Sequence, residues 1–291
     1  MTELMTDTSP ATEGGDTFIV TKEYRRFVEF CDACQREGYI GLCYGPPGVG
    51  KTLSARRYAL WDLLEPRLPR QAPYLPLPPE IASCSTVFYT PSVTNTPRAI
   101  ADDIKEMRLM LSRFAEEAAR KPGDPPSYGS PREACRLLIV DEADRLNMTS
   151  LEQVRDIYDR GPRPDRGRLG LVLIGMPGLE KRLARYPQLY SRVGFAHPFQ
   201  PLGQEEMQFL LAHKWSQLGL TLQQDDFTDA EAVAAVIRIT QGNLRLITQG
   251  NLRLVQRLFT QIERVLKING LRTVTCEVVE AARECLVIGT M

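Results

Sequence analysis

Eight consecutive residues, Gly45-Pro46-Pro47-Gly48-Val49-Gly50-Lys51-Thr52, place glycines, a lysine and a hydroxyl at the spacing of a phosphate-binding loop. Glycines let the backbone approach phosphate oxygens, so that successive N–H groups point at the negative charge. The spacing predicts that Lys51 reaches the β- and γ-phosphates of a nucleotide and that Thr52 holds Mg²⁺. The residues expected to bind the nucleotide are Gly45, Pro46, Pro47, Gly48, Val49, Gly50, Lys51, Thr52 and Leu53.

Two carboxylates, Asp141 and Glu142, end an apolar run about ninety residues after Lys51. In a parallel nucleotide-binding sheet, the carboxyl end of such a strand faces the phosphate loop. Asp141 is therefore expected to hold Mg²⁺ together with Thr52, and Glu142 to take a proton from the attacking water. Surface carboxylates at a strand end would look the same, but their combination with the loop favours the catalytic interpretation.

Hydrolysis also needs positive charge at the γ-phosphate, often an arginine from a neighbouring subunit. Arg192 is the preferred candidate for this trans arginine, with a solvated arginine as an almost equal alternative. Arg245 or Arg253 could reach the nucleotide from a helical lid. Arg253 is preferred because the segment Gly250-Asn251-Leu252-Arg253 runs directly into a long helix.

The ambiguity between these two arginines comes from a duplication, since residues 239–246 recur unchanged as residues 247–254. The helix after the second copy carries apolar residues on one side and basic residues toward the other, namely Arg253, Arg257, Arg264 and Lys267. A solvated outer face is the default interpretation of such charges. A contact with nucleic acid or with another subunit is the alternative, and both remain open.

The elements that would position these residues alternate between strands and helices up to about residue 201. Strands are expected at residues 39–44, 85–90, 135–140 and 169–175, a single helix at 177–190, and an extended crossover at 196–201. Only helical patterns follow, at residues 204–218, 229–239, 251–268 and 276–286. The pattern predicts an α/β protein with a three-layer αβα parallel-sheet core and a small C-terminal helical domain. The expected domains are a disordered acidic tail (1–17), the core (18–201) and the helical lid (202–291).

The composition excludes several classes of protein. Of 291 residues, 43% are hydrophobic and 25% are charged, the net charge is zero, and no apolar run approaches the ~20 residues of a membrane span. The polar N-terminus shows no secretory signal, and seven cysteines without a disulfide-like frame suit the reducing cytoplasm. Cys31 and Cys34 form one C-x-x-C without a second pair, so two packed thiols are favoured over a metal or redox site.

Together these residues resemble those of AAA+ ATPases with a P-loop. Within that class the chain is most similar to the transposition regulators MuB, TnsC and TniB, with IstB as a more distant relative. The resemblance covers roughly residues 20–285. It rests on the phosphate loop, on Asp141-Glu142-Ala143-Asp144-Arg145-Leu146, on Val154-Arg155-Asp156-Ile157, on Leu173-Ile174-Gly175-Met176-Pro177 and on Gly250-Asn251-Leu252-Arg253.

The resemblance implies an ATPase that uses ATP and Mg²⁺ and assembles into rings or filaments on duplex DNA. Such a protein selects a transposition target and recruits and activates a DDE transposase, with a target-selection adaptor as a further candidate partner. DNA contacts would come from the segment after the second strand, through Thr94, Asn95 and Arg98. The zero net charge implies that many weak phosphate contacts are summed over a homo-oligomer.

Two alternatives stay open beside this function. One is a loader or adaptor ATPase that acts on a protein partner such as a replicative helicase. The other is a nucleotide-switched adaptor with negligible turnover, because Met176 stands where many AAA+ proteins carry a polar residue that orients water. Hydrolysis is accordingly expected to be slow or DNA-stimulated.

Overall fold

The computed structural model describes residues 18–68, 76–121, 129–161, 168–220, 222–223, 226–241 and 252–286. The chain divides into two compact units. The sheet unit contains Arg26–Gly45 and Lys51–Phe199; the helical unit contains residues 18–25, Pro46–Gly50 and the described part of Gln200–Met291. The predicted tail at 1–17 and the first Gly-Asn-Leu-Arg copy with Arg245 lie outside the described residues. The domain boundary near residue 201 stays a prediction.

The sheet unit contains five parallel strands in the order β2-β3-β4-β1-β5. They are β1 (Ile40–Tyr44), β2 (Thr86–Tyr89), β3 (Leu137–Val140), β4 (Gly170–Gly175) and β5 (Val193–Pro198). Strands β2, β3 and β4 are buried along their whole length, as expected for continuous apolar runs covered on both faces. Because all strands run the same way, their carboxyl ends meet at one edge of the sheet, where the phosphate loop begins.

Seven helices of the described chain accompany the strands. They are α1 (Lys22–Glu37), α2 (Lys51–Tyr58), α3 (Trp61–Leu64), α4 (Pro97–Ala118), α5 (Met148–Asp159), α6 (Leu179–Leu183) and α7 (Pro187–Tyr190). Short 3₁₀ turns cover Glu65–Arg67, Pro79–Ser83 and Ala143–Arg145. Helix α4 begins where Thr96 accepts the N–H of Ala99 at 3.2 Å and Pro97 occupies the first turn, where a missing N–H does no harm.

Two local predictions were wrong in the region between α5 and the helical unit. The single helix expected at 177–190 is divided into α6 and α7, because Pro187 cannot donate a helical hydrogen bond and starts a new turn instead. The first half of the segment expected as an extended crossover at 196–201 belongs instead to strand β5, which pairs with β1. This edge strand alternates between half-buried and exposed residues and shifts register near Gly194, so it lacks the apolar run that marks the other strands.

The helical unit has a hydrophobic core of its own. Four helices build it: α8 (Gln204–Gln217), α9 (Phe227–Gln241), α10 (Leu252–Asn269) and α11 (Cys276–Glu284). Trp215 of α8 and Phe259 of α10 meet edge to face with ring centroids 5.3 Å apart. The start of α1 belongs to this unit, since Ile19 packs against the core and the Lys22 N–H donates to Glu206 at 2.7 Å. None of the helices in the described part of the chain combines the length and apolarity needed to cross a bilayer.

All seven cysteines are free thiols, and five of them are buried: Cys31, Cys34, Cys43, Cys84 and Cys135. Burial raises the pKa of Cys34 and of Cys135 to about 12 and that of Cys31 well above its ordinary value. A raised thiol pKa leaves almost no thiolate near neutral pH, which makes these groups unreactive. The arrangement supports packed thiols over a redox pair. In the described residues, no group of three or more His, Cys, Asp or Glu side chains could hold a metal ion.

We therefore predict two classes of thiol in the native protein. At about pH 8, dithionitrobenzoate should modify the exposed Cys285 first and the half-buried Cys276 next, while the five buried thiols react only after denaturation. Absorbance of the released thionitrobenzoate counts the thiols in each phase. Rapid modification of Cys31 or Cys34 in the folded chain would contradict the packed-thiol interpretation.

Candidate nucleotide site

The phosphate loop connects the end of β1 to the start of α2. Gly48 and Gly50 have φ angles of 80° and 109°, a conformation that L side chains rarely adopt, so glycine is required at both positions. Within the described residues, the backbone N–H groups of Gly48, Val49 and Gly50 have no acceptor. Unpaired N–H groups at the start of a helix favour the binding of an anion.

The lysine and the threonine of the loop point to different partners. The Lys51 ammonium is buried and donates to the Gly45 carbonyl at 2.6 Å, so it lies folded over the loop. The Thr52 hydroxyl donates to the Asp141 carboxylate at 2.7 Å. Leu53 is half exposed and makes no such link. The loop and the acidic end of β3, predicted separately from the sequence, are therefore in direct contact.

The Asp141 carboxylate is only 3% exposed and uses both oxygens. Oδ2 accepts the Thr52 hydroxyl, and Oδ1 accepts the Glu142 N–H at 2.9 Å. Burial raises the pKa of Asp141 above its ordinary value, whereas these two hydrogen bonds and the charge of Lys51 lower it. A buried carboxylate beside a hydroxyl supplies hard oxygen ligands of the kind that Mg²⁺ prefers, with the remaining ligands coming from phosphates and water.

Glu142 adopts a left-handed backbone conformation, with φ 49° and ψ 43°. The backbone of a non-glycine residue is strained in this conformation, and such strained residues are concentrated at functional sites. Its carboxylate forms an ion pair with Arg145, and the Arg145 guanidinium also donates to the Pro91 carbonyl at 3.2 Å. In this structure the proposed general base is therefore held by an arginine that also contacts the segment after β2.

The segment after β2 was predicted to contact DNA, and its three candidate residues differ in their surroundings. The Asn95 amide donates to the carbonyls of Ser92 and Arg145, both at 3.1 Å, and its oxygen accepts the buried Ser150 hydroxyl at 2.7 Å. Asn95 thus braces two loops of the protein. Thr94 is exposed, and the Arg98 side chain is 94% exposed, with its Nε 3.7 Å from Asp102. Thr94 and Arg98 remain accessible to a ligand.

Asp144 occupies the position next to the end of β4. Its carboxylate accepts the Met176 N–H at 2.7 Å, and its carbonyl accepts the Arg182 guanidinium at 2.7 Å. The Met176 side chain itself is 42% exposed and apolar. The polar side chain next to the end of β4 is therefore Asp144, although the resemblance to AAA+ proteins points to the position of Met176.

The structure does not bring Arg192 to the phosphate loop of its own chain. Its carbonyl accepts the N–H of Ile40, the first residue of β1, whereas the loop follows the last residue of that strand. Strand geometry puts these two ends roughly 13 Å apart. The guanidinium is held by Asp159 at 2.7 Å. Arg192 can act on a nucleotide only from a neighbouring subunit.

Arg253 lies at the start of α10 and is exposed. The residue before it, Leu252, donates its N–H to the Gly48 carbonyl at 2.9 Å, and its Cδ1 lies 3.1 Å from where a Cβ on Gly50 would be. The first turn of α10 therefore contacts the tip of the phosphate loop, and both belong to the helical unit. The role of Arg253 as a lid arginine stays a prediction.

Sequence reasoning found the residues that lie in short motifs and missed those that connect the motifs. Arg145 and Asp144 lie in the acidic motif, but the motif by itself indicates no role for them. Arg145 contacts Pro91, which lies 54 positions earlier in the chain, and Asp144 contacts Met176, which lies 32 positions later. Ser150 gave no signal at all, because its partner Asn95 is 55 positions away.

The fold and the site together define a P-loop nucleotide-binding protein with the AAA+ fold. A sequence model described as AAA domain matches residues 34–183, about half of the chain. The chain is also 43% identical over 283 residues to a "Potential ATP-binding protein" of Staphylococcus aureus, covering 94% of this chain and 97% of that protein. The chain belongs to the AAA domain family.

Solved structures of similar fold include a Holliday junction motor and a protein solved in complex with DNA. The Holliday junction branch migration motor RuvB of Thermotoga maritima gives a TM-score of 0.54 at 17% identity, with 94% of this chain and 71% of that one covered. ORC1 of Aeropyrum pernix, solved in complex with DNA, gives 0.52 at 18% identity, with coverage of 90% and 64%. At these identities the likeness shows the fold, which confirms the predicted αβα parallel-sheet core followed by helices.

The hydrogen bonds of Asn95 generate a prediction about stability. Asn95→Ala removes a brace and leaves the buried Ser150 hydroxyl without an acceptor, so it should lower the free energy of unfolding by about 1–3 kcal/mol. Thr94→Ala, one residue away and exposed, should change it by less than about 0.5 kcal/mol. Urea unfolding followed by circular dichroism measures both. Equal stability of the two variants would show that the brace contributes nothing.

Proposed function

We propose that this protein is an ATP-hydrolysing AAA+ ATPase that oligomerises on duplex DNA, selects a transposition target, and recruits and activates a DDE transposase. The observation that carries the ATPase part is the 2.7 Å hydrogen bond between Thr52 and Asp141, which joins the phosphate loop to the acidic strand end. The transposition part rests on the resemblance in the sequence motifs. The DNA-associated proteins of the same fold are compatible with it.

Nucleotide binding follows from the groups of the loop. The free N–H groups of Gly48, Val49 and Gly50 can each donate to a phosphate oxygen, and the Lys51 ammonium can turn from the Gly45 carbonyl to the β- and γ-phosphates. Thr52 and Asp141 would hold Mg²⁺, which when bound neutralises phosphate charge and orients the triphosphate. The donor set of hydroxyl and carboxylate fits this ion.

Hydrolysis requires that Glu142 accept a proton from a water molecule that attacks the γ-phosphate. Its ion pair with Arg145 must open or shift first, because a carboxylate saturated by a guanidinium is a weaker base. Arg192 of a neighbouring subunit would then supply positive charge to the transferring phosphoryl group. An assembly of subunits is therefore part of the proposed catalytic cycle.

DNA contacts of the core are assigned to Thr94 and Arg98, which lie beyond the carboxyl end of β2 and are exposed. Asn95, the third predicted contact, holds the segment in shape through its hydrogen bonds to Ser92, Arg145 and Ser150. Since Arg145 contacts both Pro91 at the start of this segment and Glu142, occupancy of the segment can influence the proposed base. This path agrees with the expectation of DNA-stimulated hydrolysis.

The two steps of the proposed cycle separate in a pair of variants. Lys51→Ala should abolish ATP binding, because it removes the charge that faces the β- and γ-phosphates. Glu142→Gln should bind ATP normally but lose hydrolysis by a factor on the order of 10²–10⁴. A fluorescent ATP analogue measures binding, and phosphate release with and without duplex DNA measures turnover. Full turnover in Glu142→Gln would remove Glu142 from the mechanism.

The trans role of Arg192 is tested by mixing subunits. Arg192→Ala and Glu142→Gln should each be inactive, whereas an equal mixture should regain part of the activity. In the mixture, an intact Glu142 site can sit beside a subunit that carries Arg192. Arg185→Ala, an exposed arginine in the same region, is the control and should stay active. No recovery in assembled mixtures would argue against Arg192 as the donor.

The DNA and transposition parts are tested with the whole protein. Electron microscopy with duplex DNA and a non-hydrolysable ATP analogue should show rings or filaments on the DNA. Bare DNA under all nucleotide conditions would overturn the DNA part. Proteins captured from cells then identify the partner: a DDE transposase supports the proposal, and a replicative helicase instead supports a loader ATPase.

A further inference from the structure

Helix α10 presents a row of four basic side chains. Arg253, Arg257, Arg264 and Lys267 follow one another at intervals of four, seven and three residues, and all four are exposed. Helical geometry places such positions on one face, because four and three residues each make about one turn. We call these four residues the basic stripe. The opposite face of α10 packs into the core of the helical unit through Val255, Leu258, Phe259, Ile262 and Leu266.

The basic stripe differs from Arg238 and Arg283 of the same unit in its lack of acidic partners among the described residues. Arg238 and Arg283 both form ion pairs with Glu280. The four stripe residues form no ion pair or hydrogen bond through their side chains with any described residue. Glu263 is the sole acidic residue of α10. An uncompensated row of cations creates a positive field that an anionic ligand can neutralise.

The dimensions of the basic stripe suit a nucleic-acid backbone. Fourteen residue steps of helix span about 21 Å at 1.5 Å per residue, the length of roughly six base pairs at 3.4 Å each. Beside the cations lies Gln256, an exposed side chain whose amide can donate to phosphate oxygens, whereas the nearby Thr260 hydroxyl already donates to the Gln256 carbonyl at 3.0 Å. A single straight helix with cations and hydrogen-bond donors along one face is a common form of phosphate contact.

A second copy of the chain is a less suitable occupant. It would need an acidic row of similar length, but many carboxylates of the described chain are already neutralised. Asp62 and Glu65 pair with Arg56, and Glu152 and Asp159 pair with Arg155. Duplex DNA, in contrast, carries an unbroken row of phosphates. The zero net charge of the chain makes such a local concentration of cations necessary for binding.

We propose that the basic stripe of α10 binds the phosphate backbone of duplex DNA and forms a second DNA-contacting surface in addition to the segment with Thr94 and Arg98. This inference rests on the proposed DNA binding and extends it to the helical unit. The contacts are electrostatic and carry no base specificity, so the basic stripe contributes affinity and salt dependence without selecting a sequence.

The test compares two double variants with the same change in net charge. Arg257→Gln with Arg264→Gln removes two cations of the basic stripe, and Arg238→Gln with Arg283→Gln removes two paired arginines of the same unit. Gln keeps the helix propensity of Arg. Binding of a fluorescent duplex of mixed sequence, with a non-hydrolysable ATP analogue present, is followed by anisotropy over a series of salt concentrations.

The stripe variant should bind at least about tenfold more weakly near 0.1 M salt, and its log–log salt slope should fall by about two. The control variant should bind like the unaltered protein. Equal losses in both variants, or none in either, would overturn the proposal. If the unaltered protein binds no DNA at all, the proposed function fails; if it binds and the stripe variant binds equally, only this inference fails.

Two further measurements distinguish a lost DNA contact from misfolding and from lost self-association. Circular dichroism and the thermal midpoint show whether the stripe variant folds, and Arg257→Lys with Arg264→Lys, which keeps both charges, should retain the salt slope. Sedimentation without DNA then tests a subunit contact. If the stripe variant loses self-association while its assembled form binds DNA with unchanged affinity, the basic stripe is a protein interface and the proposal is wrong.

Discussion

The hydrogen bond between the Thr52 hydroxyl and the Asp141 carboxylate is the interaction on which the site depends. It connects the start of α2 to the end of β3, two places 89 residues apart. The contact is possible because β1 and β3 are parallel strands of one sheet, each ending at the same edge. Strand β4 lies between them, and the loop reaches across its end, where Gly45 donates to Gly175 at 3.4 Å. A shift in the register of any of these strands would separate the two groups.

The same hydrogen bond also stabilises the buried negative charge of Asp141. A carboxylate that is 3% exposed is costly to keep ionised unless hydrogen bonds and nearby positive charge compensate. The Thr52 hydroxyl, the Glu142 N–H and the charge of Lys51 supply that compensation, while burial keeps the pKa above its ordinary value. The balance leaves Asp141 ready to exchange the hydroxyl for a cation. In the proposed function, Asp141 is therefore already in place for a cation, whereas Lys51 and Glu142 must still release their present partners.

The sequence predicted the parts of this structure whose signals are local. Strands β1 to β4 lay where short apolar runs were bounded by turn residues, and the αβα core followed by helices is confirmed. Strand β5 was missed because an edge strand with alternating exposure, a glycine and a terminal proline carries no such run. The loop and the acidic pair were found because phosphate chemistry constrains their spacing. The ion pair of Glu142 with Arg145 and the brace of Asn95 could not be predicted, since they depend on how two loops pack.

The hydrogen bond from Leu252 to the Gly48 carbonyl has a thermodynamic consequence. A phosphate drawn into the loop must draw in the N–H groups beside that carbonyl, and the first turn of α10 is attached to it. A ligand that fixes the position of α10 would therefore favour one conformation of the phosphate loop. Linkage requires the bias to be reciprocal: if an effector on α10 tightens nucleotide binding by some factor, the nucleotide tightens effector binding by the same factor. In the proposed function, this backbone hydrogen bond would link a ligand on α10 to a nucleotide in the phosphate loop.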